Sequence, residues 1–271
     1  MSLLRWLRHL LVDWRDRARL FALPTATCEV TALRGSDASW ITKALEDQAV
    51  AAEWPAVERE IGAMEITTSA GGVNLGDRRA IYHLVRALRP AQVLEVGTHI
   101  GASTVHIAAA LRANGANTSE LTTVDLMAVN DAATRPWVHY GARFAPIELV
   151  TKLGMEKRVR FVTSPSITFL AQEGPRYDLI FLDGDHTPAT VYLELPAALK
   201  RLNPGGVILL HDYYPNGQPL WSNGVIIVGP WLATERLRRE GAKLQVLPLG
   251  ALPWPTKLGS NVTSLAIAAR A

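Results

Sequence analysis

Acidic and imidazole side chains stand at the carboxyl ends of several short apolar runs in this sequence. These residue types carry out acid–base and metal-binding chemistry, and the runs have the length of buried parallel strands. Ligands of open α/β sheets bind outside the carboxyl ends of the strands. The sequence therefore predicts one functional edge of a sheet, formed by Glu95, Asp125, Asp183, His186, His211 and Asp212.

The element that must position these side chains is a glycine turn between a strand and a helix. Residues 93–96 are mostly apolar, Gly97 and Gly101 interrupt the run, and a helical pattern begins at Ala102. Glycine lets the backbone turn through φ > 0 or approach a ligand closely, and a helix N-terminus presents N–H groups to an anionic group. The spacing differs from the G-x-G-x-x-G of dinucleotide enzymes. An ordinary strand–turn–helix corner is the alternative.

A second strand, residues 121–124, ends in Asp125. A carboxylate at this place can accept hydrogen bonds from both hydroxyls of a ribose. Dinucleotide fingerprints place their acid ~20 residues after the turn, and Asp125 follows Gly97 by more than that. The position favours a nucleoside ligand other than a dinucleotide; the alternative is a solvated aspartate at a strand end.

Asp183 and Asp212 end the fourth and fifth strands, which should neighbour the first strand in a doubly wound sheet. Two carboxylates on adjacent strand ends repel each other, and a divalent metal with oxygen ligands removes the repulsion. The sequence therefore predicts a metal site, with an acid/base pair or helix capping by Asp183 and Asp185 as alternatives. A neutral imidazole near pH 7 suits proton removal, so His186 is either a base or an inert surface histidine.

Three motifs in this order resemble those of class I S-adenosylmethionine (SAM) methyltransferases. The form E-x-G-x-x-x-G-x-S at 95–103 resembles their motif I, closest to the catechol and caffeoyl-CoA O-methyltransferases. Asp-Gly-Asp-His at 183–186 and Gly-Gly-Val-Ile-Leu-Leu-His-Asp-Tyr at 205–213 resemble the metal-dependent O-methyltransferases that include the macrocin and mycinamicin sugar methyltransferases. The resemblance covers residues 76–213.

The resemblance implies where a cofactor lies. SAM is expected over the glycine turn, with Ser103 near its carboxylate, Asp125 on its ribose and Ser166 near its adenine. The expected cofactor-binding residues are Glu95, Gly97, Thr98, Gly101, Ser103, Asp125, Ser166 and Asp183. From the sequence alone, Ser166 is equally suited to cap a helix over 167–172.

The resemblance also implies that Asp183 and Asp212 bind Mg²⁺ and that a residue beside Asp212 supplies a third ligand. Those neighbours are His211 and Tyr213, where relatives often have an acid or an amide. Imidazole is a poor Mg²⁺ ligand and suits softer metals, and neighbouring strand residues face opposite ways unless the strand end twists. The expected metal ligands are Asp183, His211 and Asp212, and His186 is the expected catalytic base.

The order of the elements predicts an α/β fold with a doubly wound, mainly parallel, seven-stranded sheet, Rossmann-like and of the class I methyltransferase type. Two final strands, near 243–247 and over 261–268, should form an antiparallel hairpin. We expect residues 1–75 to form N-terminal helices and residues 76–271 to form the SAM-binding domain.

Two segments before the glycine turn are predicted to be helical. The pattern over 37–62 indicates one or two helices, with a break at Pro55. A helix over 78–89 follows, with Asp77 as its N-cap.

The net charge of the chain is +3, and the arginines of residues 1–22 account for that excess. The rest of the chain is neutral, so we predict no nucleic-acid partner. Residues 2–22 place Trp, Leu and Phe on one helical face and arginines around the other. That pattern fits a helix docked on the body or on a second subunit of a homo-oligomer, a helix on a membrane surface, or a loose extension.

The predicted localisation rests on three features that the sequence lacks: a transmembrane stretch, a secretory signal and a pair of cysteines. No apolar stretch reaches the ~18 residues of a transmembrane helix, and the N-terminus lacks the apolar core of a secretory signal. Cys28 is the single cysteine, so no intrachain disulfide can form. We expect a cytoplasmic protein, peripheral at a membrane if its N-terminal helix binds lipid.

These observations predict a SAM-dependent O-methyltransferase that moves a methyl group to a hydroxyl of a small molecule, such as a sugar or a natural-product scaffold, with metal assistance. One alternative is a SAM-binding protein of the same fold with other chemistry, such as hydroxylation. Another is a non-catalytic scaffold held at a membrane by residues 2–22. Specificity should lie in residues 1–75, 127–146 and 214–230, which carry no motif.

Overall fold

A computed structural model describes residues 14–68, 72–115 and 118–271. Within these ranges a single mixed sheet is built from the strands β1 (Gln92–Val96), β2 (Glu120–Asp125), β3 (Val159–Thr163), β4 (Tyr177–Leu182), β5 (Leu202–Leu210), β6 (Leu244–Pro248) and β7 (Ala266–Arg270). Their spatial order is β3-β2-β1-β4-β5-β7-β6. The predicted doubly wound, seven-stranded sheet is confirmed.

The strand directions match the prediction as well. β1 pairs in parallel with β2 and β4, and β4 pairs in parallel with β5. β7 runs antiparallel between β5 and β6. The first, fourth and fifth strands are therefore neighbours, which places their carboxyl ends at one edge of the sheet.

The last strand begins later than predicted, at Ala266 rather than at residue 261. Polar side chains take the backbone groups that a ladder would need there. The Ser260 hydroxyl accepts the Val262 N–H, the Thr256 hydroxyl donates to the Val262 carbonyl, and the Thr263 hydroxyl accepts the Leu265 N–H. Residues 249–265 therefore form an irregular extension of the hairpin, in which Ala251 and Val262 make an isolated antiparallel bridge and the Thr263 N–H donates to the Gly250 carbonyl.

Helices cover both faces of the sheet. The described part of α1 spans residues 14–22. The other described helices are α2 (Ser39–Leu45), α3 (Gln48–Gly62), α4 (Leu75–Leu88), α5 (Ala102–Ala113), α6 (Pro136–His139), α7 (Pro146–Lys152), α8 (Ser166–Ala171), α9 (Pro188–Lys200) and α10 (Gly229–Arg239), with a 3₁₀ turn at Pro215–Gly217.

Strand alternation divides the core into two layers. Val93 of β1 belongs to the buried cluster that also contains Trp54, Tyr82 and Ile107 from α3, α4 and α5. Its neighbour Leu94 points the other way and belongs to the cluster that contains residues of α9 and α10. Because α3 contributes to the first layer, the N-terminal helices share the core of the sheet.

The predicted helix break at Pro55 is wrong, because α3 continues through that residue. The break comes earlier, where the side chain of Asp47 accepts the N–H groups of Ala49 and Val50 and caps α3. Pro55 removes one intrahelical hydrogen bond. Burial of the apolar face of the helix, which includes Trp54, offsets that loss.

The predicted N-cap at Asp77 is wrong, and of the two readings left open for Ser166 the capping one is not met. α4 begins at Leu75, and Asn74 is its N-cap because its side chain accepts the Asp77 N–H; Asp77 lies in the first turn. α8 begins at Ser166 itself, after Pro165, and the Ser166 side chain makes no capping bond. In both cases the helix starts earlier than its polar residue suggested.

The described part of α1 docks through one side. Leu20 is buried, and Arg236 of α10 donates to the carbonyls of Leu20 and Leu23. Trp14 and Phe21 are 70% and 65% exposed. Residues 2–13 of the predicted amphipathic helix lie outside the described residues. None of the helices that the structure describes is long and apolar enough to cross a bilayer.

Candidate active site

Strand register brings Asp183 and His211 side by side. Leu182, the last residue of β4, pairs with Leu210, the last residue of β5. The Asp183 N–H donates to the Val96 carbonyl at 2.9 Å, and the His211 N–H donates to the Leu182 carbonyl at 3.1 Å. The ladder therefore continues for one residue beyond each strand and fixes the backbone beneath both side chains.

The glycine turn packs directly on this edge. Gly97 has φ +97°, and a Cβ atom there would lie 2.2 Å from the Asp183 carbonyl oxygen. No side chain fits in that space, so glycine is required both by the conformation and by the close approach. The turn that should cradle a cofactor is thus held against the residue expected to bind a metal.

Three side chains converge beside the turn. His211 Nδ1 lies 2.7 Å from Asp183 Oδ1, and His186 Nε2 lies 3.5 Å from the same oxygen. One ligand atom from each of Asp183, His186 and His211 lies within 4.8 Å of the others. Asp212 joins them, because its Oδ2 is 3.4 Å from His186 Nε2. These four residues, Asp183, His186, His211 and Asp212, form the cluster. Asp185 instead accepts the N–H of Thr187, which is the N-cap residue of α9, so it bonds to the residue before the helix and does not cap the helix itself.

Asp212 reaches the site because the strand end twists. Its φ is +50°, in the left-handed region that non-glycine residues rarely adopt. Regular strand geometry would send His211 and Asp212 to opposite faces. The twist lets both side chains contact the cluster, as Asp212 Oδ1 lies 3.7 Å from His211 Nδ1.

Charge dominates the cluster. Burial acts to lower the pKa of His211, but the carboxylates of Asp183 and Asp212 outweigh it and hold the pKa well above its ordinary value. Burial acts to raise the pKa of Asp212, but His211, His186 and Lys257 outweigh it and lower the pKa. Cationic groups thus offset the repulsion between the carboxylates in this site.

A further carboxylate, which the sequence did not indicate, lies beneath His211. Asp77 in the first turn of α4 is fully buried, and its Oδ2 lies 3.4 Å from His211 Nε2. An acid in the first turn of a helix is explained by the helix dipole alone. No sequence signal therefore separates Asp77 from an ordinary helix start; the chain path of α4 reveals it.

A cavity of about 600 Å³ opens next to the cluster. This size lies in the range of small-molecule sites. Of the residues predicted to bind cofactor or metal or to act as base, its lining includes Gly97, Asp125, Ser166, Asp183 and His186.

Other predicted cofactor residues lie behind the turn instead of on the cavity wall. Glu95 is buried and accepts the hydroxyls of Thr104 and Thr123 at 2.5 and 2.6 Å. Burial raises its pKa to about 7, against hydrogen bonds from Ser103, Thr104 and Thr123. Thr98 contacts Thr123 at 2.6 Å. These hydrogen bonds connect the glycine turn and the start of α5 to β1 and β2.

Gly101 starts α5 rather than lining the cavity. It has φ +78°, and a Cβ atom there would lie 3.0 Å from the Pro146 side chain. Gly101, like Ser103, therefore belongs to the junction between the turn and α5.

The side chain of Asp125 accepts hydrogen bonds from the backbone of two other residues of the cavity wall. Its Oδ2 accepts the His99 N–H at 2.8 Å, and its Oδ1 accepts the Met127 N–H at 2.9 Å. His99 is a cavity residue that the sequence reasoning missed; its φ is +49° and its ring lies edge-on to Tyr140 at 4.3 Å. A non-glycine residue in this conformation at a site is a sign of functional constraint.

Ser166 is fixed by a second missed residue. Its hydroxyl donates to Glu194 of α9. Burial raises the pKa of Glu194 to about 7, against the Ser166 hydrogen bond. The Ser166 oxygen therefore keeps its acceptor capacity for a ligand in the cavity.

Comparison with known proteins agrees with this geometry. Residues 94–213 match a family model described as a methyltransferase domain. The O-methyltransferase TomG from Streptomyces achromogenes, involved in tomaymycin synthesis and solved with SAM, is 16% identical with a TM-score of 0.52, over 83% of this chain and 90% of that chain. An O-methyltransferase from Bacillus cereus, solved with SAH, is 16% identical with a TM-score of 0.52, over 88% and 98%. This is the class I methyltransferase fold.

The motif-based resemblance to class I O-methyltransferases is confirmed. A curated relative from Mycobacterium sp. (strain JLS), which carries the provisional name of O-methyltransferase, is 30% identical over 169 residues, or 61% of this chain. The chain spans 64% of the length of that relative. The solved structures, at 16% identity, support the fold alone.

Proposed function

We propose that the protein is a SAM-dependent O-methyltransferase that moves a methyl group to a hydroxyl of a small molecule, assisted by a divalent metal. One observation carries the proposal. A single cavity is lined both by Asp125 and Ser166, which suit a nucleoside, and by Asp183 and His186, which suit a reacting hydroxyl. A cofactor and a substrate can therefore meet in it.

The glycine turn, Asp125 and Ser166 would hold the cofactor. When bound, SAM supplies the methyl group, which passes to the substrate oxygen as the carbon–sulfur bond breaks. The backbone at Gly97 would allow close approach, the Asp125 carboxylate would accept hydrogen bonds from the ribose hydroxyls, and the Ser166 oxygen would lie near the adenine. Glu95, Thr98, Gly101 and Ser103 support the turn from behind, and in this proposal they act on the cofactor through it.

The residues of the cluster fit a divalent cation. Both ring nitrogens of His211 are buried without a well-directed hydrogen bond among the described residues, and carboxylates surround them. Asp183, Asp212 and His211 would be the ligands. Carboxylates suit Mg²⁺ and Mn²⁺, whereas imidazole favours Fe²⁺ or Zn²⁺. When bound, the cation lowers the pKa of the substrate hydroxyl.

His186 would take the proton from that hydroxyl. Its side chain is 24% exposed and lines the cavity, and Nε2 lies 3.4 Å from Asp212 Oδ2. Nε2 accepts the proton while Asp183 and Asp212 stabilise the charge that forms on the ring. His186 also stands close enough to serve as a metal ligand; metal affinity of a His186 variant separates the two roles.

The substrate is proposed to be a hydroxylated small molecule, such as a sugar or a natural-product scaffold. Asp183 and His186 provide acid–base groups on the cavity wall, with Asp212 beside His186, which argues against a non-catalytic scaffold. Other chemistry on the same fold, such as hydroxylation, stays the alternative activity.

The outward face of α1 is a proposed contact surface. Trp14, Ala18 and Phe21 are exposed on it, with Arg15 and Arg19 beside them. Such a face fits either an anionic membrane surface or a second copy of the chain. Sedimentation with anionic vesicles and light scattering of the free protein distinguish the two.

A transfer assay tests the function. The protein is incubated with SAM labelled on the methyl group and with panels of catechols and sugars, with Mg²⁺ or Mn²⁺ and with excess chelator. We expect label in an ether product, and less of it with chelator. Binding of SAM with no transfer to any hydroxyl under either metal would favour the scaffold; transfer that ignores the chelator would remove the metal from the proposal.

A further inference from the structure

Asp77 is a fully buried carboxylate that its own helix does not explain. Asn74 caps α4, and the Asn74 side-chain amide donates to Asp77 Oδ2 at 2.6 Å. Asp77 Oδ1 has no hydrogen-bond partner among the described residues. A buried carboxylate is costly unless a cation or a strong donor faces it, so Asp77 needs a partner beyond its helix.

The group that faces Asp77 is the imidazole of His211. His211 Nε2 lies 3.4 Å from Asp77 Oδ2, and on the opposite side of the ring Nδ1 lies 2.7 Å from Asp183 Oδ1. One ring nitrogen therefore faces the cavity edge and the other faces a buried acid. The His211 side chain is 9% exposed, so water has little access to compete for Nε2.

The start of α4 is held in place firmly enough to present this acid. The Gly76 carbonyl accepts the Trp254 Nε1–H at 2.9 Å. A Cβ atom on Gly76 would lie 2.4 Å from the Pro255 carbonyl oxygen. Arg78, also buried, donates to the Val73 carbonyl at 2.6 Å. The first turn of α4 is thus fixed against residues 254–255 and against the segment that precedes the helix.

We propose that Asp77 is a positioning residue: its carboxylate, 3.4 Å from His211 Nε2, favours the ring form with the proton on Nε2 and so leaves Nδ1, on the side of Asp183, as the nitrogen available to a divalent metal. Ligating histidines commonly donate their other ring N–H to a carboxylate, which fixes the ring and raises the basicity of the ligating nitrogen. Asp77 lies outside the matched domain of residues 94–213. The inference rests on the proposed metal site.

The first test measures Mn²⁺ and Zn²⁺ affinity by calorimetry on the full chain, in a double-mutant cycle. Asp77→Asn should weaken metal binding about 10–100-fold, the usual loss for such a partner. His211→Gln should also weaken binding, and adding Asp77→Asn to it should cause little further loss. An Asp77→Asn effect that persists in the His211→Gln background would overturn the proposal, since Asp77 would then act through its charge alone.

Asp178→Asn is the matched control. Asp178 accepts the N–H groups of Ala91 and Gln92 at 2.8 and 2.9 Å, at the opposite edge of the sheet. Its loss should lower thermal stability and leave metal affinity unchanged. If Asp178→Asn weakens metal binding as much as Asp77→Asn does, both residues act by general destabilisation and the proposal fails.

The second test needs no metal. In the ¹⁵N-labelled protein, the Nε2–H of His211 should give a ring N–H resonance protected from solvent exchange, assigned by its loss in His211→Gln. Asp77→Asn should shift this resonance upfield and speed its exchange. An unaltered resonance contradicts the role of Asp77 even if wild type binds metal. A shifted resonance in a protein that binds no metal supports the role and rejects the metal site instead.

Discussion

His211 Nδ1 lies 2.7 Å from Asp183 Oδ1, across the boundary between two parallel strands. The pairing of Leu182 with Leu210 sets this contact, and the left-handed backbone of Asp212 adds a second carboxylate. The site is thus a product of strand register and one backbone twist.

Gly97→Ala should remove SAM binding and lower the unfolding temperature. The new Cβ atom would clash with the Asp183 carbonyl, in addition to the strain of φ +97°. Gly241→Ala is the matched control, because Gly241 has φ +99° with nothing within 4 Å of its Cβ position. It should cost only the conformational strain, roughly 1–2 kcal/mol. Equal losses from the two variants would show that the close approach has no consequence.

Asp125→Ala should weaken SAM binding by roughly 1–3 kcal/mol, because the ribose hydroxyls and the His99 N–H lose their acceptor. NAD should not bind either protein. Asp131→Ala is the control, since Asp131 also accepts a backbone N–H in the adjoining loop, from Ala133 at 2.9 Å, but lies outside the large cavity. Calorimetry with both ligands is the measurement. Micromolar NAD binding without SAM binding would refute the cofactor assignment.

His186→Ala should keep SAM binding and slow the chemical step about 10²–10⁴-fold, the usual loss with a general base. Raising the pH should partly restore the rate, because a deprotonated substrate no longer needs the base. Single-turnover kinetics across pH is the measurement. If His186→Ala instead loses metal affinity as Asp212→Ala does, His186 is a ligand. A fully active variant would leave it with neither role.

Glu95→Gln should gain stability over wild type as pH rises. Burial raises the pKa of Glu95 to about 7, whereas an unfolded glutamate titrates near ~4.3. Between these values the folded chain binds the proton and the unfolded chain has released it, so the wild-type contribution falls with rising pH. The difference in unfolding free energy between variant and wild type should change by on the order of 3 kcal/mol from pH 4 to pH 8. A pH-independent difference would contradict the raised pKa.

Deleting residues 1–22 should leave SAM affinity unchanged and lower the unfolding temperature. The deletion removes buried Leu20 and its carbonyl contact with Arg236, both remote from the cavity lining. Calorimetry and thermal unfolding are measured on both proteins. A folded, truncated protein that no longer binds SAM would contradict this expectation.

Much of the sheet and of its functional edge could be predicted from the sequence because both depend on local signals. Apolar runs followed by Gly97, Asp125, Asp183 and His211 mark strand ends, and the sheet order then makes these ends neighbours. The cap and break predictions at Asp77 and Pro55 failed because a cap depends on the exact helix start and a proline break on the packing around it.

The parts of the site that depend on long-range packing could not be predicted. Asp77 meets His211 because the first turn of α4 lies next to the end of β5, and Glu194 meets Ser166 because α9 packs beside α8. Neither pair shares a motif or a sequence spacing. The twist at Asp212 likewise could not be predicted: aspartate adopts the left-handed region more readily than most residues, but nothing in the sequence marks this aspartate as one that does.

The most direct test of the central claim is native mass spectrometry of the purified protein with SAM, NAD and the candidate divalent metals. We predict one SAM per chain, one divalent ion per chain that Asp212→Ala and chelation remove, and no NAD. SAM should stay bound after chelation, since Asp125 and the glycine turn hold it without the metal. An NAD adduct without a SAM adduct would contradict the account, and a SAM adduct that never carries a metal would reject its metal-assisted mechanism.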